Sequence, residues 1–278
     1  MATSIPALLR AHDLYPRKRL GQNFLVDPVA LERIVAAADL SPQDIVIEPG
    51  AGLGTLTRSL AEYAGRVVAV ELDDGLVQAL HHELADLGNI QIIHGDILRV
   101  PNTGMPHLGY KVVGNLPYYL TSAVLRRFLE DEPRPRRMVV TVQREVAERI
   151  VAQPGKMSLL AVSVQFYGQP KIVARIPPGA FYPSPQVDSA VLRIDVGAQP
   201  LVALARGIDA RAYFRVVRAG FSQRRKTLRN SLSGGLALAP GAVQELLEDA
   251  GIEPRRRAET LGLDEWARAT AALSGALS

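Results

Sequence analysis

Four short stretches combine residue types that can do chemistry, and each closes an apolar run. Ile45-Val46-Ile47 leads into Glu48-Pro49-Gly50-Ala51-Gly52-Leu53-Gly54, and Val67–Val70 ends at Glu71. Ile90–Ile93 ends in His94-Gly95-Asp96-Ile97, and Val112-Val113 ends in Gly114-Asn115-Leu116-Pro117-Tyr118. Glycines let the backbone turn sharply and approach a ligand at a helix N-terminus, so the first stretch suits a nucleotide. A carboxylate at Glu71 can accept both hydroxyls of a ribose. Asp96 can accept from an adenine amino group while Ile97 offers its backbone N–H to a ring nitrogen; its other reading is a cap on the next turn.

The spacing of the glycines narrows the nucleotide. A dinucleotide fingerprint reads G-x-G-x-x-G/A. Gly50 and Gly52 fit, but Thr55 stands at the third position and glycine falls one residue early, at Gly54. Glu48, directly before the loop, is awkward for a pyrophosphate and suited to a ligand with an amino group and a sulfonium, as in S-adenosylmethionine. Glu71 does not discriminate, because NAD enzymes share that acid.

The segment Asn115–Tyr118 is the most specific of the four. The lone pair of an exocyclic adenine amine is delocalised into the ring and is a poor nucleophile. Two acceptors on its N–H groups would draw them out of plane and aim the lone pair at a methyl donor. The Asn115 side-chain oxygen and the Leu116 carbonyl are of the right type. Pro117 stiffens the turn and keeps residue 116 out of the helical region. Tyr118 offers a ring for a base to stack on, worth roughly 1–3 kcal/mol. No strong base is required, since the methylated ammonium is acidic. The competing reading is an Asx-type turn with a core tyrosine.

These groups need elements to hold them. Apolar runs at 45–47, 67–70, 90–93, 112–113, 138–142, 172–176 and 190–194 predict seven strands. Helical stretches between the first five predict a mostly parallel α/β sheet covered on both faces. Pro177, Pro178, Pro183 and Pro185 break the last interval and suggest an antiparallel hairpin at one end. Asp27 and Pro28 mark a helix start, followed by Leu31, Ile34, Val35 and Ala38 at helical spacing. Beyond Gly197–Pro200 only helical patterns occur, which places a boundary near 200: a ligand-binding domain over 1–199 and a helical domain over 200–278. Residues 233–240 read as a connector between helices, and Trp266 as a packing residue.

Composition excludes several classes. The 278-residue chain has no cysteine, so it holds no disulfide, thiolate metal site or cysteine nucleophile. No apolar run approaches the ~18 residues of a membrane span. The first 26 residues lack the apolar block of a signal peptide, so a cytoplasmic location and no membrane partner are expected. The five histidines show no metal-ligand spacing, and no metal is expected. Net charge is +4, and all of it falls in 196–278, which carry 12 basic and 8 acidic residues against 20 and 20 in 1–195. Arg211 to Arg229 hold seven basic residues and no acid, a stripe that attracts phosphate. Its other reading is a solvated helix face. Arg17-Lys18-Arg19 form a second basic cluster.

The whole pattern resembles the small-subunit (16S) rRNA adenine N6,N6-dimethyltransferases. The likeness runs through Leu20-Gly21-Gln22-Asn23-Phe24-Leu25, the loop 48–54, Glu71, Gly95-Asp96 and Asn115–Tyr118. It continues through Val142–Ala147, Phe181–Ser189 and Phe221-Ser222-Gln223-Arg224-Arg225-Lys226-Thr227-Leu228-Arg229-Asn230. It implies a Rossmann-like class I methyltransferase fold with a small all-helical C-terminal domain. It implies S-adenosyl-L-methionine as cofactor, and methyl transfer to two adjacent adenosines near the 3′ end of the RNA during small-subunit biogenesis. By the same resemblance Asn23 and Leu25 close over the cofactor, Gly50 and Gly52 line it, Glu71 holds the ribose and Asp96 the adenine. Asn115 stands between cofactor and base, and Phe181 faces Tyr118 across the base. Arg17, Lys18, Arg19, Arg224, Arg225, Lys226 and Arg229 are expected to hold RNA. Small-subunit rRNA or an immature small subunit is the expected partner of a monomeric chain, with no DNA. Tyr119 departs from the pattern, since many members carry Asn there. Competing readings are a large-subunit rRNA adenine methyltransferase of the antibiotic-resistance type, a non-catalytic RNA-binding assembly factor and an NAD-dependent oxidoreductase. Residues 221–230 resemble the small-subunit enzymes more closely, and the intact acids and Asn115–Tyr118 argue for activity.

Overall fold

A computed structural model describes residues 4–101 and 109–276, with the side chain of Lys18 outside the described set. The chain divides into two compact units, 1–147 with 169–198, and 148–168 with 199–278. In the first unit α1 (Ile5–Ala11) is followed by a two-residue strand β1 (Phe24–Leu25) and α2 (Pro28–Ala38). Asp27 caps α2 by accepting from the Val29 N–H at 3.0 Å, with Pro28 at the first helical position as its sequence predicts. Strand and helix then alternate: β2 (Ile45–Pro49), α3 (Thr55–Ala61), β3 (Arg66–Glu71), α4 (Asp74–Glu83), β4 (Ile90–His94), β5 (Tyr110–Asn115), α5 (Thr121–Glu130) and β6 (Arg137–Gln143). The crossing to the second unit falls within α6 (Arg144–Ile150), which precedes α7 (Leu159–Tyr167). The sheet resumes with β7 (Gly168–Ile176) and β9 (Ser189–Val196), separated by a two-residue β8 (Phe181–Tyr182).

All seven predicted strands form one sheet in the order β4-β3-β2-β5-β6-β9-β7. Pairings from β4 to β6 are parallel, and β9 joins β6 antiparallel. Val67 to Val70 are all buried, because helices cover both faces of a parallel sheet. One cluster joins Val46, Val67, Val113 and Val139 to Ile34, Ala38, Leu56 and Leu60. Strand order reverses at β2, with β3 on one side and β5 on the other. Ligands of open α/β sheets lie beyond the strand C-termini at such a point. At the opposite ends of the strands Lys111, fully buried, donates to Asp44 Oδ2 at 2.9 Å and to the Asp39 carbonyl, while Arg136 holds Asp44 Oδ1 at 3.0 Å. A buried ammonium held this way fixes the ends of β2 and β5 against each other.

The second unit is helical, with α8 (Ala210–Phe221), α9 (Leu228–Leu236), α10 (Pro240–Asp249) and α11 (Leu263–Ser274). The single cut expected near 200 misses 148–168, which belong here: Phe166 packs its ring 4.6 Å from Tyr213 and 5.0 Å from Phe214. Trp266 of α11 is buried against Phe221 of α8, a packing role as expected. The connector expected over 233–240 shrinks to three residues, since α9 runs through Leu236 and Pro240 opens α10. Among the described residues no helix is long and apolar enough to cross a membrane.

Candidate active site

A cavity lies at the strand C-termini where the sheet order reverses, and the four sequence stretches converge on it. Its wall includes Asn23 and Leu25, Glu48 to Gly52, Glu71, Asp96 and Ile97, and Asn115 to Tyr119. Gly50, Gly52 and Gly54 all have positive φ, a conformation that side chains resist. At Gly52, φ is +62°, and a Cβ would stand 3.2 Å from the Phe24 ring. The end of β5 approaches the loop as closely: a Cβ at Gly114 would meet Pro49 at 2.9 Å. This contact brings Asn115 beside the glycine turn.

Two buried acids face the loop. Glu71 is 8% exposed; its Oε1 accepts from the Leu72 and Asp73 N–H groups and its Oε2 from Gly52 N–H, each at 2.9 Å. Burial raises its carboxyl above the ordinary range, and these three backbone donors work against the rise. Glu48 is 1% exposed, and its Oε2 has no hydrogen-bond partner among the described residues. Burial pushes its carboxyl up to about 8; the nearby Thr57 hydroxyl opposes this and Glu71 adds to it. An acceptor so buried and unpaired is suited to a cationic ligand.

Asn115 donates an amide N–H to the Asn23 carbonyl at 2.8 Å. Its Oδ1 and the Leu116 carbonyl accept no hydrogen bond among the described residues, so two acceptors remain open at the end of β5. Pro117 is extended at φ −56°, ψ 130° and turns the chain into a short helical turn at Tyr118–Leu120. The Tyr118 hydroxyl lies 2.7 Å from Ser189 Oγ, which fixes the ring, and burial raises its hydroxyl above the usual range. Tyr119 is 58% exposed at the cavity. Asp96 lines the cavity and also caps a turn, since its Oδ1 accepts from Leu98 N–H at 2.9 Å. The capping reading of Asp96 thus holds, at a position on the cavity wall.

Phe181 does not reach the cavity wall. Register pairs it with Leu25, through the β1–β8 ribbon, and both enter the core cluster with Ile34 and Val191. Alternation along β8 leaves Tyr182, not Phe181, on the exposed side. Arg17 is not free for phosphate either: its guanidinium is 2.7 Å from the buried Asp73. Asp73 also caps α4 by accepting from Gly75 and Leu76 N–H, so it ties the segment before Asn23 to the turn that holds Glu71. Sequence reasoning passed over Asp73, although Asp73-Asp74-Gly75 after a strand is a cap signature. Arg19 is exposed, and Lys18 lies outside the described side chains. In the second unit Arg224, Arg225 and Lys226 are exposed on the turn between α8 and α9, and make no ion pair among the described residues. Arg211, Arg215 and Arg218 share the exposed face of α8, while Tyr213, Phe214, Val216 and Val217 are buried. Arg229 donates to Gln244 at 3.1 Å.

Residues 15–274 match the profile of the family described as ribosomal RNA adenine dimethylase. The chain belongs to that family. The ribosomal RNA small subunit methyltransferase A of Dehalococcoides mccartyi is 49% identical, over 95% of this chain and 93% of that one. The protein of that name from Moorella thermoacetica is 44% identical, over 94% and 93%. Among solved structures, a dimethyladenosine transferase from Plasmodium falciparum superposes with a TM-score of 0.77 at 21% identity, over 91% and 98% of the two chains. The 23S rRNA methyltransferase ErmE superposes with a TM-score of 0.71 at 28% identity, over 91% and 100%. The fold is thus the Rossmann-like methyltransferase fold with a helical C-terminal unit.

Proposed function

We propose that this chain transfers methyl groups from S-adenosylmethionine to N6 of two adjacent adenosines near the 3′ end of small-subunit rRNA, giving N6,N6-dimethyladenosine. The observation that carries the reading is the open pair of acceptors at Asn115 Oδ1 and the Leu116 carbonyl, set beside a cavity with two buried acids. Its residues fit the cofactor. Glu71, oriented by three backbone donors, has lone pairs left for ribose hydroxyls. The orphaned Glu48 Oε2 suits a cation, and the backbone at 50–52 turns without side chains in the way. Asp96 and Ile97 suit an adenine edge. When bound, the cofactor supplies an electrophilic methyl on its sulfonium.

The chain's own groups do the rest. Asn115 Oδ1 and the Leu116 carbonyl accept from the adenosine amine and turn its lone pair toward the methyl, an interaction that strengthens as positive charge develops on nitrogen. Tyr118, anchored by Ser189, stacks on the base taken out of its helix. Phe181, one layer back beside Leu25, supports the strand that carries Leu25 to the cavity. The proton of the methylated ammonium passes to water. Arg211, Arg215 and Arg218 on α8, with Arg224, Arg225, Lys226 and Arg229 after it, hold RNA phosphates.

Likeness favours the small-subunit substrate: relatives named for it reach 49% identity, against 28% for the 23S enzyme. Purified chain, labelled S-adenosylmethionine and separated immature small and large subunits test the assignment. Label is expected in small-subunit RNA alone; label in large-subunit RNA overturns it.

A further inference from the structure

Chain spacing conceals one cluster of ligating side chains. His12 follows α1, while His82 and Glu83 lie in the last turn of α4, so the group joins positions 71 residues apart. His12 Nε2 lies 2.7 Å from Glu83 Oε1, and His82 Nδ1 lies 3.2 Å from the same oxygen. The two imidazoles meet edge to face with centroids 5.3 Å apart. One ligand atom from each of the three side chains falls within 4.8 Å of the other two. Of the remaining histidines, His81 and His94 stand outside this group, and His107 lies outside the described residues.

We propose that His12, His82 and Glu83 bind a divalent transition-metal ion of the zinc class. Two imidazole nitrogens and one carboxylate are borderline donors that suit Zn²⁺, Co²⁺, Ni²⁺ or Cu²⁺, whereas Mg²⁺ and Ca²⁺ prefer an all-oxygen set. Tetrahedral zinc with bonds near 2.05 Å sets its ligand atoms roughly 3.3 Å apart. The cluster reaches that spacing by opening the His12–Glu83 contact and drawing the two nitrogens together, which are side-chain rotations only. His82 is 78% exposed, so the site opens to solvent, with a path in and room for a water as fourth ligand. His12 and Glu83 are mostly covered, at 19% and 26%, which limits their motion.

The position gives the ion a consequence. Ile5 and Leu9 of α1 pack with Leu76 and Ala79 of α4, and Leu14 packs on the same cluster. The chain then passes the Arg17–Asp73 ion pair and reaches Asn23, Phe24 and Leu25 at the cavity. An ion on His12 fastens the start of this strap to α4.

Tag-free full-length protein titrated with Zn²⁺ by calorimetry, and with Co²⁺ by visible absorption, tests the site. One ion per chain is expected. His82→Ala, at an exposed position that folding does not need, should weaken binding about tenfold or more, and His12→Ala likewise. His94→Ala should bind as the parent does. Hydrogen exchange over residues 12–25 should slow on adding Zn²⁺ to the parent and not to His82→Ala. Absence of binding up to about 100 μM metal, or binding indifferent to His82→Ala, overturns the proposal.

Discussion

Replacing Glu48 with Gln keeps the shape of the side chain and removes its titration. In the folded chain burial pushes the Glu48 carboxyl up to about 8 from an ordinary 4.5. The folded state therefore holds a proton that the unfolded state releases between these values. Unfolding therefore releases a proton in this range, and stability falls as pH rises through the window from 4.5 to about 8. At ~1.4 kcal/mol per pH unit the penalty is about 3 kcal/mol at pH 7 and at most about 5 kcal/mol above pH 8. Glu48→Gln should match the parent near pH 4.5 and exceed it increasingly up to pH 8. Hydrogen exchange at the β2 and β3 amides reads the stability of this unit directly. Glu71, raised by the same burial, adds a slope of the same sign to both proteins, and because its charge is one cause of the Glu48 rise the gap between them includes that repulsion. The variant should also bind S-adenosylmethionine more weakly. At pH 7 the parent should release a proton on binding, seen as a calorimetric enthalpy that varies with buffer, and the variant should not. A parent–variant gap that stays constant from pH 4.5 to 9 would refute the reasoning, since Glu48 would then be ionised in the folded and the unfolded chain alike.

Asn115→Ala should lower turnover about 10²–10³-fold with little change in RNA affinity, because its acceptor matters most as the amine becomes a nucleophile; single-turnover kinetics at saturating RNA and cofactor check this. Charge reversal of Arg224, Arg225 and Lys226 to Glu should weaken RNA binding and flatten its salt dependence while cofactor affinity holds, read by filter binding at several salt concentrations. Gly220→Ala should destabilise the helical unit: a Cβ there would stand 2.3 Å from the fully buried Trp266 ring. Overpacking of about 1–3 kcal/mol outweighs the ~1 kcal/mol that alanine adds to helix propensity, and tryptophan fluorescence during urea unfolding reports it.

The sheet was legible because each central strand is buried on both faces and must be an unbroken apolar run, as at Val67–Val70. The acids and glycines of the cavity were legible because each lies at the end of such a run. What stayed hidden depends on pairings between distant positions. Phe24–Leu25 and Phe181–Tyr182 are too short to show alternation, and only their mutual register turns Phe181 into the core. Residues 148–168 carry no mark of the unit they join, since the aromatic faces of α7 and α8 recognise each other only in space. Arg17 reads as one of three cations in a row, yet folding commits it to Asp73. The basic run 211–229 reads as one stripe; the structure divides it into the exposed face of α8 and a turn before α9.

The central claim concerns which atoms of which RNA are methylated. Small subunits that lack the modification, incubated with the purified chain and S-adenosylmethionine, provide the substrate. The 3′ fragment of their rRNA, digested to nucleosides and oligonucleotides and analysed by mass spectrometry, gives the answer. N6,N6-dimethyladenosine at two adjacent positions in that fragment, absent with Asn115→Ala, is the predicted result. Methylation elsewhere, or none from protein that binds the cofactor and the subunit, would contradict it.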